Sequence, residues 1–177
     1  MNPVISIITV VYNGKDVLPN TIKSIREQDY DNIEYIVIDG GSKDGTIDII
    51  KKNEDIISSW ISEPDKGIYD AMNKGLEKAT GDYVWFLNAG DEIFDSDTLS
   101  KVFQLGEADA YYGDVGYIDE NGDTLGTRTL KTPPPELSWK EMIKGMVVSH
   151  QSFIVKKDLA AHYDLRYKYV ADVDWMI

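Results

Sequence analysis

Cysteine is absent from all 177 residues, and histidine occurs only twice. Disulfides, thiolate zinc sites and cysteine nucleophiles are therefore excluded, which suits a reducing compartment such as the cytoplasm. Basic residues are scarce: 18 lysines and arginines stand against 31 aspartates and glutamates, a net charge of -13. That balance argues against nucleic-acid binding, which needs a basic face. It also argues against docking on an anionic membrane through overall charge, although a small basic patch can still act locally. Long hydrophobic runs are missing too. The apolar opening stretch, Val4–Val11, is too short to span a bilayer and lacks the basic flank and cleavage pattern of a signal peptide.

What is present is an ordinary globular mixture, 42% hydrophobic with 14 glycines. The length fits one domain that buries a core without a disulfide or metal staple. Strand-like and helix-like periods alternate, which predicts an α/β fold, a three-layer sandwich around a mostly parallel central sheet. Strands are expected at Val4–Tyr12, Ile33–Ile38, Asp55–Ser62 and Tyr83–Leu87, with later ones at Ala108–Ile118, Thr124–Leu130 and Val147–Val155. Helices are expected from Val17 to about Gln28, over Thr46–Lys52 with Ser42 or Asp44 as cap, near Thr98–Leu105 and over Trp139–Met146. The clearest helical stripe is Ile68, Ala71, Met72, Gly75, Leu76 and Ala79. The chain stops at Ala171–Ile177 in an apolar, helix-compatible segment with no capping residue, as expected of a fragment.

Three strand ends carry polar, glycine-containing turns: Tyr12-Asn13-Gly14, Asp39-Gly40-Gly41 and Asn88 to Asp91. Open α/β sheets collect ligands outside the carboxyl ends of their strands, so these turns are expected to share one crevice. The stretch from Asp39 to Thr46 reads either as a loop whose backbone approaches a ligand, with Asp39 accepting from a ribose or base, or as a tight turn before a helix. It lacks the G-x-G-x-x-G spacing of a dinucleotide fingerprint. Asn88-Ala89-Gly90-Asp91 reads as a solvated turn or as a weak metal site. A hard cation bound to a diphosphate needs only one or two protein carboxylates, here Asp91 with Glu92 in reserve.

Asp172 and Asp174 would face one side of a strand but diverge by about 200° on a helix. They offer a general base or a solvated acidic turn. His150, in a strand-like run, reads as a hydrogen-bonded structural residue, and no G-x-S-x-G elbow supports a serine hydrolase. Asp119-x-Asn121-x-Asp123 lacks the glycine and glutamate of a calcium loop and reads as a hairpin turn.

Taken in order, the strings ISIITVVYNG (5–14), VIDGGSKDGT (37–46), SEPDKGIYDAMNKGLEKATGDYVWFLNAGD (62–91), SHQSF (149–153) and VADVDW (170–175) resemble the family 2 glycosyltransferases. The resemblance covers essentially the whole chain. It implies the GT-A fold and an inverting transfer of sugar from a nucleoside diphosphate sugar, a UDP-sugar first, to a glycan or lipid-linked acceptor. Residues 1–95 would be the nucleotide-sugar half and 96–177 the acceptor half.

By the same resemblance Tyr12 and Asn13 line the nucleotide pocket, and Asp39 binds the base edge. Asp65, Lys66, Asn73 and Asn88 contribute to nucleotide-sugar binding. Asp91 holds Mn2+ or Mg2+ on the diphosphate, and Asp172 is the catalytic base. The family's Asp-x-Asp-Asp appears here as Asn88-Ala89-Gly90-Asp91, so metal binding rests on one carboxylate and weaker affinity is expected. The family's downstream helices and later basic and tryptophan motif are missing. Cell-envelope polysaccharide assembly, at the inner face of the cell membrane without a span, is the implied setting. The alternatives are a catalytically silent nucleotide-sugar-binding module and a nucleotidyltransferase, the latter disfavoured by the lack of a basic glycine-rich loop for a triphosphate.

Overall fold

The computed structural model describes residues 2–119, 122–129, 132–142 and 145–176. The first half is a run of β-α units: β1 (Ile5–Val11), α1 (Leu18–Arg26), β2 (Ile33–Asp39), α2 (Thr46–Lys52), β3 (Ser59–Ser62), α3 (Ile68–Lys78) and β4 (Tyr83–Phe86). After α4 (Thr98–Gln104) come β5 (Ala110–Tyr112), β6 (Gly116–Ile118), β7 (Thr124–Thr127), α5 (Trp139–Met142), β8 (Phe153–Lys156) and α6 (Ala171–Trp175). The main sheet has the order β3-β2-β1-β4-β8-β5. β1 to β4 run parallel, and β8 enters antiparallel with Trp85 opposite Ile154. The three-layer, mostly parallel architecture expected from the alternation is present.

The reason lies in β1. All seven of its residues are buried, because a central parallel strand is covered on both faces. Ile5, Ile7 and Val11 pack with Leu18, Ile22 and Ile25 of α1 and with Ile50 of α2. Ile8 and Val10 pack the other way, against Ala71, Met72 and Leu76 of α3. Gly75 allows α3 to lie close on the sheet, since a Cβ there would run into Ile8 Cγ2. Ile68 departs from the expected stripe and is exposed.

Several boundaries differ from expectation. The third strand is only Ser59–Ser62, because the chain after α2 coils back, with Ile56 and Ile57 amides both donating to Asn53 O (3.1 Å each). Arg26 fastens that coil by bonding Asn53 Oδ1 and Asp55 Oδ1 at 3.0 Å each. The stretch expected as one strand at Ala108–Ile118 is two, parted at Gly113, whose amide donates to Ser152 O (3.0 Å). Val147–Val155 is likewise broken by a 3-10 turn at His150–Ser152. The N-cap of α2 is Gly45 and not the expected Ser42 or Asp44; Asp44, one residue earlier, accepts from the Thr46 amide (3.0 Å) and hydroxyl (2.6 Å). The β6–β7 hairpin matches the expected turn at Asp119, Gly122 and Asp123. Asn121, and the ends of the expected elements at Leu130 and at 143–144, lie outside the described residues.

Candidate active site

β2 and β4 flank β1, so the ends that carry Asp39 and the Asn88–Asp91 turn are about 10 Å apart, two strand spacings, on the same rim. Polar bonds zip the first two loops together. Asn13, held at a positive φ of 50, donates its amide to Ser42 Oγ (2.7 Å) and accepts from the Lys43 amide (3.0 Å). The Gly14 amide donates to Thr46 Oγ1 (3.0 Å). Tyr12, 67% exposed, stands at the mouth.

Asp39 is fully buried, and its carboxylate already accepts four donors. These are the Gly41 amide (3.1 Å), the Ser42 amide (3.0 Å), the Ser42 hydroxyl and the Ser62 hydroxyl (2.5 Å). A carboxylate has about four acceptor positions, so in this structure Asp39 shapes the loop. Asp65 stands over the same loop. Its Oδ1 accepts from the Gly67 amide (2.8 Å), while Oδ2 and the Tyr12 ring crowd the space above Gly40. Lys66 is exposed beside it. Asn73 is occupied elsewhere: its Nδ2 donates to Tyr163 O (3.0 Å) and its Oδ1 accepts from the Tyr163 amide (2.7 Å). It joins α3 to the segment before α6, a task with no sign in the sequence.

The Asn88–Asp91 turn is held from below by β1 and from the side by α1. Thr9 Oγ1 donates to Leu87 O (2.7 Å), the Ala89 amide to Val10 O (3.2 Å), and the Gly90 amide to Thr21 Oγ1 (2.9 Å). Burial pushes the Asp91 carboxyl up to about 6, although hydrogen bonds from the Asn88 backbone and the Gln151 side chain pull it down. Asn88 Oδ1 is buried with no hydrogen-bond partner, and such an atom calls for a donor or a cation. Among the described residues no group of three or more acidic or histidine side chains could hold a metal. Asp91 and Asn88 still fit a hard divalent cation whose other ligands are diphosphate and water oxygens. A cleft of about 600 Å³ opens here, lined by Asp91, Glu92, Asp114, Arg128 and Gln151. Another, of about 750 Å³, lies at the opposite rim near Asp82 and Lys156. None of the expected site residues lines that second cleft.

Asp172 lies in the first turn of α6, a helix entered through Val170 at a φ of 61, strained for a β-branched residue. On this helix Asp172 and Asp174 diverge, and Asp174 is exposed. Asp172 Oδ1 accepts from the Tyr69 hydroxyl (3.2 Å). His150 is the structural histidine expected from its context: buried, with Nε2 2.5 Å from the Tyr163 hydroxyl. Burial lowers its pKa to about 4, against an upward pull from Asp172. Gln151, next in sequence, accepts from the Ser149 hydroxyl at its Oε1 (2.6 Å) and lines the same cleft as Asp91. Sequence reasoning passed over Gln151, Tyr69 and Tyr163. Only the SHQSF string pointed toward the first of them.

Fold and site together define an α/β protein with one polar, acidic ligand rim at the carboxyl ends of its parallel strands. A family model described as Glycosyl transferase family 2 matches residues 6–171, and the chain belongs to that family. It is 37% identical over 181 residues to an uncharacterized glycosyltransferase of Mycobacterium tuberculosis, covering 99% of this chain and 68% of that protein. Among solved structures it resembles S. aureus TarS 1-349 in complex with UDP-GlcNAc, with a TM-score of 0.75 and 21% identity. That match covers 96% of this chain and 51% of the TarS chain. It also resembles the mannosyltransferase PcManGT of Pyrobaculum calidifontis in complex with GDP-Man and Mn2+ (TM-score 0.63, 20% identity, 90% and 46% covered). The GT-A fold is thus this chain's fold, and the chain spans about half the length of these solved chains. Among the described residues no helix is long and apolar enough to cross a membrane.

Proposed function

We propose that this domain transfers a sugar, with inversion, from a nucleoside diphosphate sugar to a hydroxyl of a glycan or lipid-linked acceptor. A UDP-sugar is the leading donor. One observation carries the reading: the consecutive residues His150 and Gln151 join the two acids. Gln151 lines the cleft that holds Asp91, and His150 packs against Trp175 on the helix that carries Asp172 (ring centroids 5.7 Å apart). This packing supports a base and an anchor for the leaving group acting in one site. The uridine phosphates bound to TarS and the Mn2+ bound to PcManGT, on the same fold, support the donor class and the cation.

In this reading the exposed Tyr12 ring receives the base, and Asp65 Oδ2 accepts from the base or ribose over the loop that Asp39 holds. Lys66 faces the donor from the same loop. Asp91 and Asn88 Oδ1 hold the cation. Mn2+ or Mg2+, when bound, offsets the negative charge that develops on the departing diphosphate. Asp172 removes the proton from the acceptor hydroxyl as its oxygen attacks the anomeric carbon from the face opposite the diphosphate. A lipid-linked acceptor would bring the protein to the inner face of the membrane through its substrate.

A thermal-shift and UDP-release panel tests this, using UDP-glucose, UDP-galactose and UDP-GlcNAc with and without Mn2+. One donor should stabilise the wild type only with the cation. Asp91→Ala should lose that dependence, and Asp172→Asn should stop release while leaving UDP affinity nearly intact. A metal response that survives in Asp91→Ala, or an active Asp172→Asn, would defeat the assignments. Donor binding by wild type without release of UDP would point instead to a silent sugar-nucleotide module.

A further inference from the structure

Three aromatic rings form a continuous stack beside the general base. Tyr69 of α3 lies on Tyr163 (centroids 5.3 Å apart, planes at 21°), and Tyr163 lies on Trp175 of α6 (5.2 Å, 12°). The middle ring is fixed independently of the outer two. Its backbone is clamped by the Asn73 amide, its hydroxyl meets His150, and Phe86 at the end of β4 abuts it edge-on (5.5 Å, 71°). Tyr69 and Asn73 stand one helical turn apart on α3, so one face of that helix grips residue 163 twice. Trp175 stands three residues after Asp172, on the same side of α6, and its Nε1 donates to Ala161 O (2.6 Å).

A five-residue helix has no stability of its own. The stack is therefore what orients α6, and with it Asp172. We propose that Tyr69 is a positioning residue for the base: its hydroxyl occupies Asp172 Oδ1 and leaves Oδ2 turned to the acceptor hydroxyl. This rests on the reading of Asp172 as base. A neutral phenol and a carboxylate can share only one proton arrangement, with Tyr69 donating. Burial, and then the Asp172 charge, raise the Tyr69 pKa and keep that proton in place. The bond between the middle ring and His150 is assigned the same way. Burial and Asp172 also raise the Tyr163 pKa, so Tyr163 donates to a neutral His150.

The test is Tyr69→Phe, which removes one oxygen and keeps the ring in its stack. UDP release from the same three UDP-sugars with Mn2+ is measured beside UDP affinity and the unfolding midpoint. A displaced base predicts a fall in kcat of about ten- to a hundredfold. KM for the donor and UDP affinity should hold within twofold, and the midpoint should fall by no more than one hydrogen bond costs. Adding Tyr69→Phe to Asp172→Asn should cost nothing more, because the two act as one unit. A kcat within twofold of wild type, an equal loss in UDP affinity, or a further tenfold loss in the double variant would each overturn the positioning role. An active Asp172→Asn, or a wild type that releases no UDP, would overturn the base assignment beneath it, and this role with it.

Discussion

Replacing His150 by glutamine should change how stability responds to acid, by an amount the structure sets. The imidazole is buried under the aromatic stack, and its pKa falls from 6.5 to about 4. The unfolded chain therefore binds a proton that the folded chain refuses over that window. The stabilisation is complete above pH 6.5 and is lost as pH falls to 4. At about 1.4 kcal/mol per pKa unit, the loss is about 3 kcal/mol. Asp91 runs the other way. Its carboxyl, raised to about 6, keeps a proton that the unfolded chain releases from near pH 3.8. It favours the fold below that pH, and the benefit, again about 3 kcal/mol, is gone once pH passes 6.

In the wild type the two slopes nearly offset. In His150→Gln only the Asp91 slope remains, so the variant should weaken by about 3 kcal/mol between pH 4 and 6.5 relative to wild type. The assay is urea unfolding of metal-free protein at half-unit pH steps, with the difference between the two proteins plotted against pH. Glutamine's own packing cost is pH-independent and shifts the plot without tilting it. Other carboxylates titrate alike in both proteins and cancel. Parallel curves would refute the reasoning, because they would mean that His150 titrates as if it were in water.

Two further substitutions test how the site is held. Gly75→Ala gains helix propensity but drives a methyl into Ile8 Cγ2, on a stiff β-branched side chain with no exposure. A net loss of about 1–2 kcal/mol in thermal unfolding is expected, and an equally stable variant would show that α3 can lift from the sheet. Asn73→Ala removes both bonds to the Tyr163 backbone. It should destabilise by about 2–3 kcal/mol with UDP affinity unchanged, whereas weakened UDP binding at full stability would return Asn73 to the nucleotide.

Much of the first half of the chain was legible because its signals are local. β1 reads as a two-sided buried strand, the α3 stripe repeats at helical spacing, and a polar turn after a buried strand marks a ligand rim wherever such a sheet occurs. That reasoning singles out the Asn88–Asp91 turn as part of the rim. It failed where a residue's partner is set by tertiary packing. Asp55 and the two isoleucines after it look like the start of a strand until Arg26 and Asn53 fold them back. Val147–Val155 looks continuous until the turn at His150–Ser152 brings Gln151 to the cleft that Asp91 lines. Packing also sets the contacts of Asp39 and Asn73, polar residues in family-like strings whose hydrogen bonds in this structure go to the loop and to the Tyr163 backbone.

The aromatic stack shows the limit most sharply. Tyr69 looks like one more residue beside an amphipathic stripe, Tyr163 stands in an irregular stretch, and Trp175 lies near the end of the chain. No periodicity joins them, since a stack needs ring planes and only packing sets those. It is nevertheless the stack that packs the short acidic helix against α3, with the Tyr69 hydroxyl on Asp172. The site's acids are thus readable as residue types, and their orientation is a property of contacts between α3, the 163 segment and α6. An error in those contacts would leave every expected residue present and the chemistry absent, which is why Tyr69→Phe tests the catalytic geometry more directly than removal of either acid.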